Sequence, residues 1–197
     1  MERKILAVLF LLAIAGYGFF FFVIKGRTAE KESTPDTPMQ LTDSTDAFSA
    51  ALTVSLQAYY KLTGPLAKDD SSQVAASAEA FEKAVLELPV KQMKADSNLI
   101  KLATTLQQNM LKAAANMRSS PTMTEQRKQL QVVSDLLFDL LRTTQYKGAT
   151  VYQQFCPMAF DNAGANWLSD GPAISNPYMG QSMPACGSVI DSISIKP

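Results

Sequence analysis

The chain has 197 residues, with 18 basic and 18 acidic side chains, two cysteines and no histidine, a length typical of one domain with appendages. The lack of histidine excludes a Ser-His-Asp triad, a Cys-His nucleophile pair and a histidine-ligated zinc ion. Beyond residue 27, the chain carries 14 basic and 17 acidic groups. We therefore expect no nucleic-acid partner, because such a body has no electrostatic attraction to phosphate.

The N-terminal segment contains an uncharged apolar run from Ile5 to Ile24. As a helix, this run would rise about 30 Å, the thickness of a membrane hydrocarbon core. It ends in Lys25-Gly26-Arg27 rather than at a small-residue cleavage site. Residues 1–27 are therefore predicted to be an uncleaved signal anchor with a transmembrane helix at 5–24. The body would lie in the periplasm, tethered to the inner membrane; secretion to the periplasm after signal cleavage is the alternative.

A polar segment at residues 28–43 follows the apolar run. It contains Pro35 and Pro38 and shows no apolar periodicity. This composition predicts a flexible linker between the membrane and the folded domain.

Residues 44–148 carry four apolar stripes at helical spacing. The stripes are separated by Gly64-Pro65, Pro89 and Ser119-Ser120-Pro121, which predict breaks between helices. Thr122 and Glu125 have the spacing of a capping box at the start of the fourth helix, and Gly148 is its predicted C-cap. The pattern predicts a mainly α fold, an up-down bundle of four helices.

The C-terminal segment, residues 149–197, contains both cysteines and the only tryptophan, Trp167. Residues 151–155 alternate as a short strand does, and 166–168 predict a second one. The segment is too small to be stable by hydrophobic burial alone. We expect it to be an irregular or β element of the same domain, docked on the bundle with Trp167 as an anchor.

The candidate site residues are the sulfur-bearing side chains of this segment. Thiolates and thioethers are soft ligands, suited to Cu(I) or Ag(I). If Cys156 is in a strand, Met158 lies on the same face, because strand side chains alternate. The predicted metal ligands are Cys156, Met158, Met183 and Cys186, with Met179 in reserve.

Two other interpretations of the cysteines stay open from the residues alone. Two cysteines 30 residues apart in an exported domain are typical of a disulfide. Such a bond would contribute about 3–4 kcal/mol in the chain-entropy model. Two free buried thiols are the third possibility.

The C-terminal motif resembles a domain-of-unknown-function family of Bacteroidetes-type bacteria, found alone or fused to CusB-type membrane-fusion subunits of heavy-metal efflux pumps. The resemblance covers roughly residues 44–190 and implies a periplasmic helical domain linked to copper or silver handling. Its residues are Cys156-Pro157-Met158-Ala159, Trp167-Leu168-Ser169, Ile174, Asn176-Pro177-Tyr178, Gly180, Met183 and Cys186-Gly187, with Tyr59-Tyr60-Lys61-Leu62, Leu66 and Asp69-Asp70 in the helical part.

Two functions of different classes follow. The first is a membrane-anchored periplasmic domain that binds Cu(I) or Ag(I) and offers it to an efflux-pump membrane-fusion subunit. The second is a structural or interaction domain of the cell envelope with a permanent Cys156–Cys186 disulfide and no metal. We expect no enzyme, because the sequence shows no paired base and nucleophile, phosphate loop or dinucleotide turn.

Overall fold

The computed structural model describes residues 46–194, which lie within one compact unit that spans Met39–Pro197. Four long helices come first, and a short 3₁₀ turn at Val90–Gln92 lies between the second and the third. The predicted signal anchor at 5–24 and the linker at 28–43 lie outside the described residues. The helices are α1 (Asp46–Ala67), α2 (Ser71–Leu86), α3 (Ser97–Ser119) and α4 (Met123–Thr143).

A small antiparallel sheet follows the helices. Its strands are β1 (Val151–Cys156), β2 (Ala165–Ser169) and β3 (Ser188–Ile193), in the spatial order β2-β1-β3. A four-residue helical segment, α5 (Ala159–Asn162), connects β1 to β2, and a 3₁₀ turn at Gly180–Ser182 lies between β2 and β3. The expected mainly α fold with a small β element is thus confirmed for the described residues.

The helices pack in chain order, because short connections return each helix along its predecessor. Their apolar stripes form one buried core that continues into the sheet. The helix of the described region with the strongest pattern is α4, which buries an apolar residue on almost every turn. None of the described helices is long and apolar enough to span a membrane.

The first predicted break was wrong in position. Helix α1 continues through Gly64 and Pro65 and ends at Ala67. Its C-terminus has the two hydrogen bonds of a Schellman motif, from Asp70 N–H to the Pro65 carbonyl and from Asp69 N–H to the Leu66 carbonyl. Asp69 takes the left-handed conformation of this motif, with φ of 58°. Pro65 has no N–H and so gives up one helical hydrogen bond, but the bonds from Lys68 N–H to the Gly64 and Pro65 carbonyls still close the last turn.

The other helix ends were predicted with mixed success. The Thr122 hydroxyl accepts a hydrogen bond from Glu125 N–H at 3.3 Å, which confirms the N-cap of α4. The cap of α3 was not predicted: the Asp96 carboxylate accepts from the N–H groups of Asn98 and Leu99. Helix α4 ends at Thr143, so Gly148 is not its C-cap.

Two of the three strands were predicted. The expected strands at 151–155 and 166–168 correspond to β1 and β2. The edge strand β3 was missed, because its side chains are almost all exposed and show no apolar alternation. Only its pairing with β1 makes it a strand.

A buried chain of hydroxyl groups joins the sheet to the bundle. The Ser134 hydroxyl of α4 donates to the Leu130 carbonyl at 2.7 Å. The Tyr59 hydroxyl of α1 therefore donates to Ser134 Oγ, at 2.6 Å, and accepts from Leu168 N–H of β2, at 3.1 Å. Burial raises the pKa of Tyr59 far above its usual value, so the phenol stays protonated and remains a donor.

We predict that Tyr59→Phe lowers the free energy of unfolding by about 1–3 kcal/mol, because a buried N–H and a buried hydroxyl lose their partner. Urea unfolding followed by circular dichroism measures this change. Tyr146→Phe is the matched control, since its hydroxyl makes one 3.3 Å contact to the exposed Thr53. Equal losses in the two variants would contradict the docking role of Tyr59.

Candidate functional site

The two cysteines lie next to each other at one end of the sheet. Cys156 is the last residue of β1, and the β1–β3 pairing ends at Phe155 opposite Ser188. The polypeptide therefore brings Cys186 beside Cys156, with the two Sγ atoms 3.3 Å apart. This separation exceeds the disulfide bond length of about 2.05 Å. Both thiols are free, and the described residues contain no disulfide.

The two thiols differ in exposure. Cys156 is fully buried, whereas Cys186 is partly exposed. The pKa of the Cys186 thiol is raised, first by its hydrogen bond with Cys156 and second by burial. Cys186 is therefore a neutral thiol at pH 7, and a metal ion would have to displace its proton.

Gly187 makes the approach of the two cysteines possible. Its φ of +134° favours glycine, and a Cβ there would lie 2.7 Å from the Phe155 carbonyl oxygen and 2.9 Å from the Trp167 ring. Any side chain would push this backbone away from β1 and move Cys186 with it.

Aromatic side chains support the segment between β2 and β3. Trp167 is 1% exposed, which agrees with its expected role as an anchor. Its ring makes an edge contact with Tyr178, at 6.0 Å between centroids, and Tyr178 makes another with Phe160, at 5.5 Å. The Tyr178 hydroxyl donates to the Asn166 carbonyl. These contacts place the cysteine-bearing loop, residues 171–187, on β2.

The loop is also tied to the helical bundle by Arg127 of α4. The guanidinium donates to the Pro177 carbonyl at 2.7 Å, to the Leu66 carbonyl at 2.9 Å and to the Asp69 carboxylate at 2.6 Å. The other Asp69 oxygen accepts from Gln181 N–H at 2.8 Å. These bonds to Gln181 and Arg127 lower the pKa of Asp69. One Arg–Asp pair thus connects the end of α1, helix α4 and the loop.

The sequence did not identify Arg127 or Gln181 as contributors to this site. The two partners of the ion pair are 58 residues apart, and no periodic pattern relates them. A local signal existed only for Asp69, which occupies the left-handed position where glycine is usual. Aspartate tolerates this conformation better than most residues, so the position by itself does not reveal the contacts of its carboxylate.

The predicted methionine ligands are placed less favourably than the cysteines. Strand β1 ends at Cys156, and Met158 lies on the following turn, 46% exposed. The expectation that Met158 shares a strand face with Cys156 was therefore wrong. Met179 and Met183 are partly buried in the loop, and Met183 accepts the Cys186 N–H through its carbonyl. The sulfur contact that the structure shows is the one between the cysteines.

The backbone beside Cys156 takes a rare conformation. Phe160, Asp161 and Asn162 of α5 all have positive φ, between 51° and 69°. Left-handed residues cost about 1–2 kcal/mol each. The turn is closed by hydrogen bonds from Ala163 and Gly164 back to the start of α5. The chain accepts this cost immediately after the cysteine that begins the site.

Comparison with known proteins finds one family. The model of a family described as "Protein of unknown function (DUF3347)" matches residues 55–148. This part of the chain is thus similar to an uncharacterised domain family, and the match ends before β1 and both cysteines. No curated protein and no solved structure matches the chain.

We predict that Arg127→Lys lowers the free energy of unfolding by about 1–3 kcal/mol. Lysine keeps the charge, but its compact ammonium lacks the planar fork by which Arg127 Nε reaches the Pro177 carbonyl while Nη2 reaches Leu66 and Asp69. Partly buried acceptors therefore lose their donor.

The control is Arg142→Lys, since Arg142 makes a 3.6 Å ion pair with Asp191 between two exposed side chains and lies over the Phe138 ring; lysine keeps the charge for both contacts, and a change within about 0.5 kcal/mol is expected. Urea unfolding of both variants measures the two changes. Similar losses of unfolding free energy would contradict the role of Arg127 in attaching the loop to the bundle.

Proposed function

We propose that this domain binds a soft monovalent metal ion, Cu(I) or Ag(I), through Cys156 and Cys186. The observation that carries the proposal is the pair of free thiols with sulfurs 3.3 Å apart, one buried and one partly exposed. Two thiolates are a soft ligand pair that suits these ions. The proposal involves no catalytic reaction.

The sulfur separation is compatible with a bound ion after a small movement. Metal–sulfur bonds of about 2.3 Å, as in zinc sites, set an upper limit of about 4.6 Å between two sulfurs that face each other across an ion. The thiols would therefore open by about 1 Å. Cys186 is the one that moves, because it lies on a partly exposed loop, whereas Cys156 ends a central strand.

The remaining ligands favour an ion of low coordination number. The chain has no histidine, and residues 46–194 contain no group of three or more Cys, Asp or Glu side chains that could hold a metal. In the proposal, Met179 and Met183 of the loop and Met158 beyond β1 serve as neutral third ligands. Thioethers disfavour harder ions such as zinc.

The cellular setting belongs to the same proposal. The apolar run at 5–24 would anchor the chain in the inner membrane, and residues 28–43 would let the domain move in the periplasm. The motif resemblance supports a membrane-fusion subunit of a heavy-metal efflux pump as the partner that receives the ion. Signal cleavage would leave the same domain free in the periplasm.

A permanent disulfide is the second candidate function, as part of a structural envelope domain. It is favoured by the same sulfur separation, because an approach of about 1.3 Å would give the bond length of a disulfide. In that case the disulfide would link the loop covalently to β1, and the surface of the domain would bind another component of the cell envelope.

We predict that the reduced full-length chain, assayed under argon, binds one Cu(I) in competition with a chromophoric Cu(I) chelator. Exchange of both Cys156 and Cys186 for serine abolishes binding, because the thiolates are the charged ligands. Binding also raises the melting temperature with metal concentration. The proposal fails if the reduced wild-type chain takes no Cu(I) from the chelator.

The methionine double variant Met158→Leu with Met183→Leu separates ligand loss from unfolding. Leucine nearly conserves the volume of methionine, so the melting temperature of the metal-free chain should change little while the Cu(I) affinity falls. Unchanged affinity would exclude Met158 and Met183 as ligands and leave the two cysteines with Met179 as the remaining candidate. A chain isolated without free thiols, and without copper uptake before reduction, would instead support the disulfide.

We expect the Cu(I) affinity to rise with pH between about 6 and 8. The raised pKa of Cys186 keeps its thiol protonated over this range, and binding must release that proton. Each proton released on binding gives up to about a tenfold gain in affinity per pH unit. Competition titrations at several pH values, corrected for protonation of the chelator, measure the slope. A flat profile would exclude Cys186 as a thiolate ligand formed on binding.

A further inference from the structure

Asn176 lies between β2 and β3 and is fully buried. Its side-chain amide donates from Nδ2 to the Cys186 carbonyl at 2.6 Å. Its Oδ1 accepts from the backbone N–H groups of Tyr178 and Met179, at 2.8 and 3.0 Å. A buried carboxamide with both ends occupied is strongly held in one orientation.

The backbone of Asn176 adds two further bonds. Its N–H donates to the Pro184 carbonyl at 2.9 Å, and its carbonyl accepts from Gly180 N–H at 3.2 Å. The chain from 176 to 186 is therefore closed on a single residue. Both sulfur-bearing stretches of the loop, around Met179 and around Met183 and Cys186, are fixed relative to it.

Other side chains hold the loop on the fold without Asn176. Gln154 of β1 donates to the carbonyls of Gly171 and Ala173 at the start of the loop. Arg127 donates to the Pro177 carbonyl, and the Asp69 carboxylate accepts from Gln181 N–H. The Cys186 N–H bonds only within the loop, to Met183. The Asn176 amide is thus the side chain that ties the backbone of Cys186 to the anchored part of the loop.

We propose that Asn176 is a positioning residue that sets the separation of the Cys156 and Cys186 thiols, and with it the affinity of the metal site. The role as a metal site rests on the proposed function, whereas the positioning of the thiols does not. Without the Nδ2 bond, the loop stays attached at Pro177 and Gln181, and Gly187 and Ser188 stay against β1. The Cys186 peptide between these anchors gains freedom, so its distance to Cys156 is held less narrowly. A looser pair has a lower effective concentration of one thiol at the other.

The test measures that effective concentration without any metal. The protein dithiol and glutathione disulfide exchange to the protein disulfide and two molecules of glutathione, and the equilibrium constant reports how closely the thiols are held. In full-length Asn176→Asp, one carboxyl oxygen still accepts the two backbone N–H bonds, and the ionised group cannot donate to Cys186. The exchange is run at alkaline pH to favour the ionised form, because burial raises the pKa of a carboxyl group, and the uncharged Asn176→Ser variant removes that condition. We expect the constant to fall about five- to tenfold, as loss of one hydrogen bond predicts.

Two further variants guard against a purely structural effect. Asn176→Ser keeps an acceptor for the turn but is too short to reach the Cys186 carbonyl, and it adds no charge; the same fall is expected. Gln107→Glu is the matched control, because Gln107 Nε2 donates to the carbonyls of Val85 and Leu88 within the bundle. It should lower the melting temperature but leave the exchange constant within about twofold, since it touches neither thiol.

The outcomes separate the two proposals. An unchanged exchange constant in the Asn176 variants, or an equal fall in Gln107→Glu, overturns the positioning role. Unfolding of both Asn176 variants would assign Asn176 to the fold and overturn it as well. If the constant falls as expected and the wild-type chain takes up no Cu(I), the positioning role stands and the metal function fails. If both hold, the Cu(I) affinity should fall with the exchange constant across the variants.

Discussion

The Tyr59 hydroxyl is the interaction on which the arrangement of the C-terminal segment depends. It supplies the acceptor for Leu168 N–H, on the side of β2 that faces the helices. A buried N–H without a partner would cost about 1–3 kcal/mol, so β2 lies where this hydroxyl is. Strand β1 pairs with β2, and β3 pairs with β1. The strand that ends in Cys156 and the strand that follows Cys186 are therefore connected to the helices through this contact, and the loop contacts place Cys186 itself.

A local turn at the end of α1 makes long-range contacts with the loop. Asp69 ends α1 in the left-handed position of a Schellman motif, and this orients its carboxylate toward Arg127 and Gln181. The range matched by the family model, 55–148, contains Tyr59, Asp69, Arg127 and Ser134 but neither cysteine. Similarity over this range therefore concerns the helical surface on which the sheet and loop pack. The two thiols lie in the segment beyond it.

The asymmetry of the two thiols suits an ion that must both enter and leave. Cys156 is buried at the end of the central strand, while Cys186 is partly exposed on a loop that side chains hold in place. In the proposed metal site, Cys156 would be the fixed ligand and Cys186 the ligand that a partner reaches first. Exchange at Cys186 would then be coupled to proton transfer, because thiolate formation and metal binding occur together.

The sequence by itself determined the existence of the four helices, the first two strands, the Thr122 cap and the change from helical to β structure after residue 148. These depend on apolar period, capping spacing and the positions of rare residues, all of which are local. The end of α1, the strand β3, the Asn176 bonds and the Arg127–Asp69 pair were decided only by the tertiary structure. Helix α1 continues past Pro65 and stops before Asp69, which takes the left-handed conformation, and β3 is a strand because it pairs with β1. Residues 58 apart meet through packing, and no local pattern encodes such a contact.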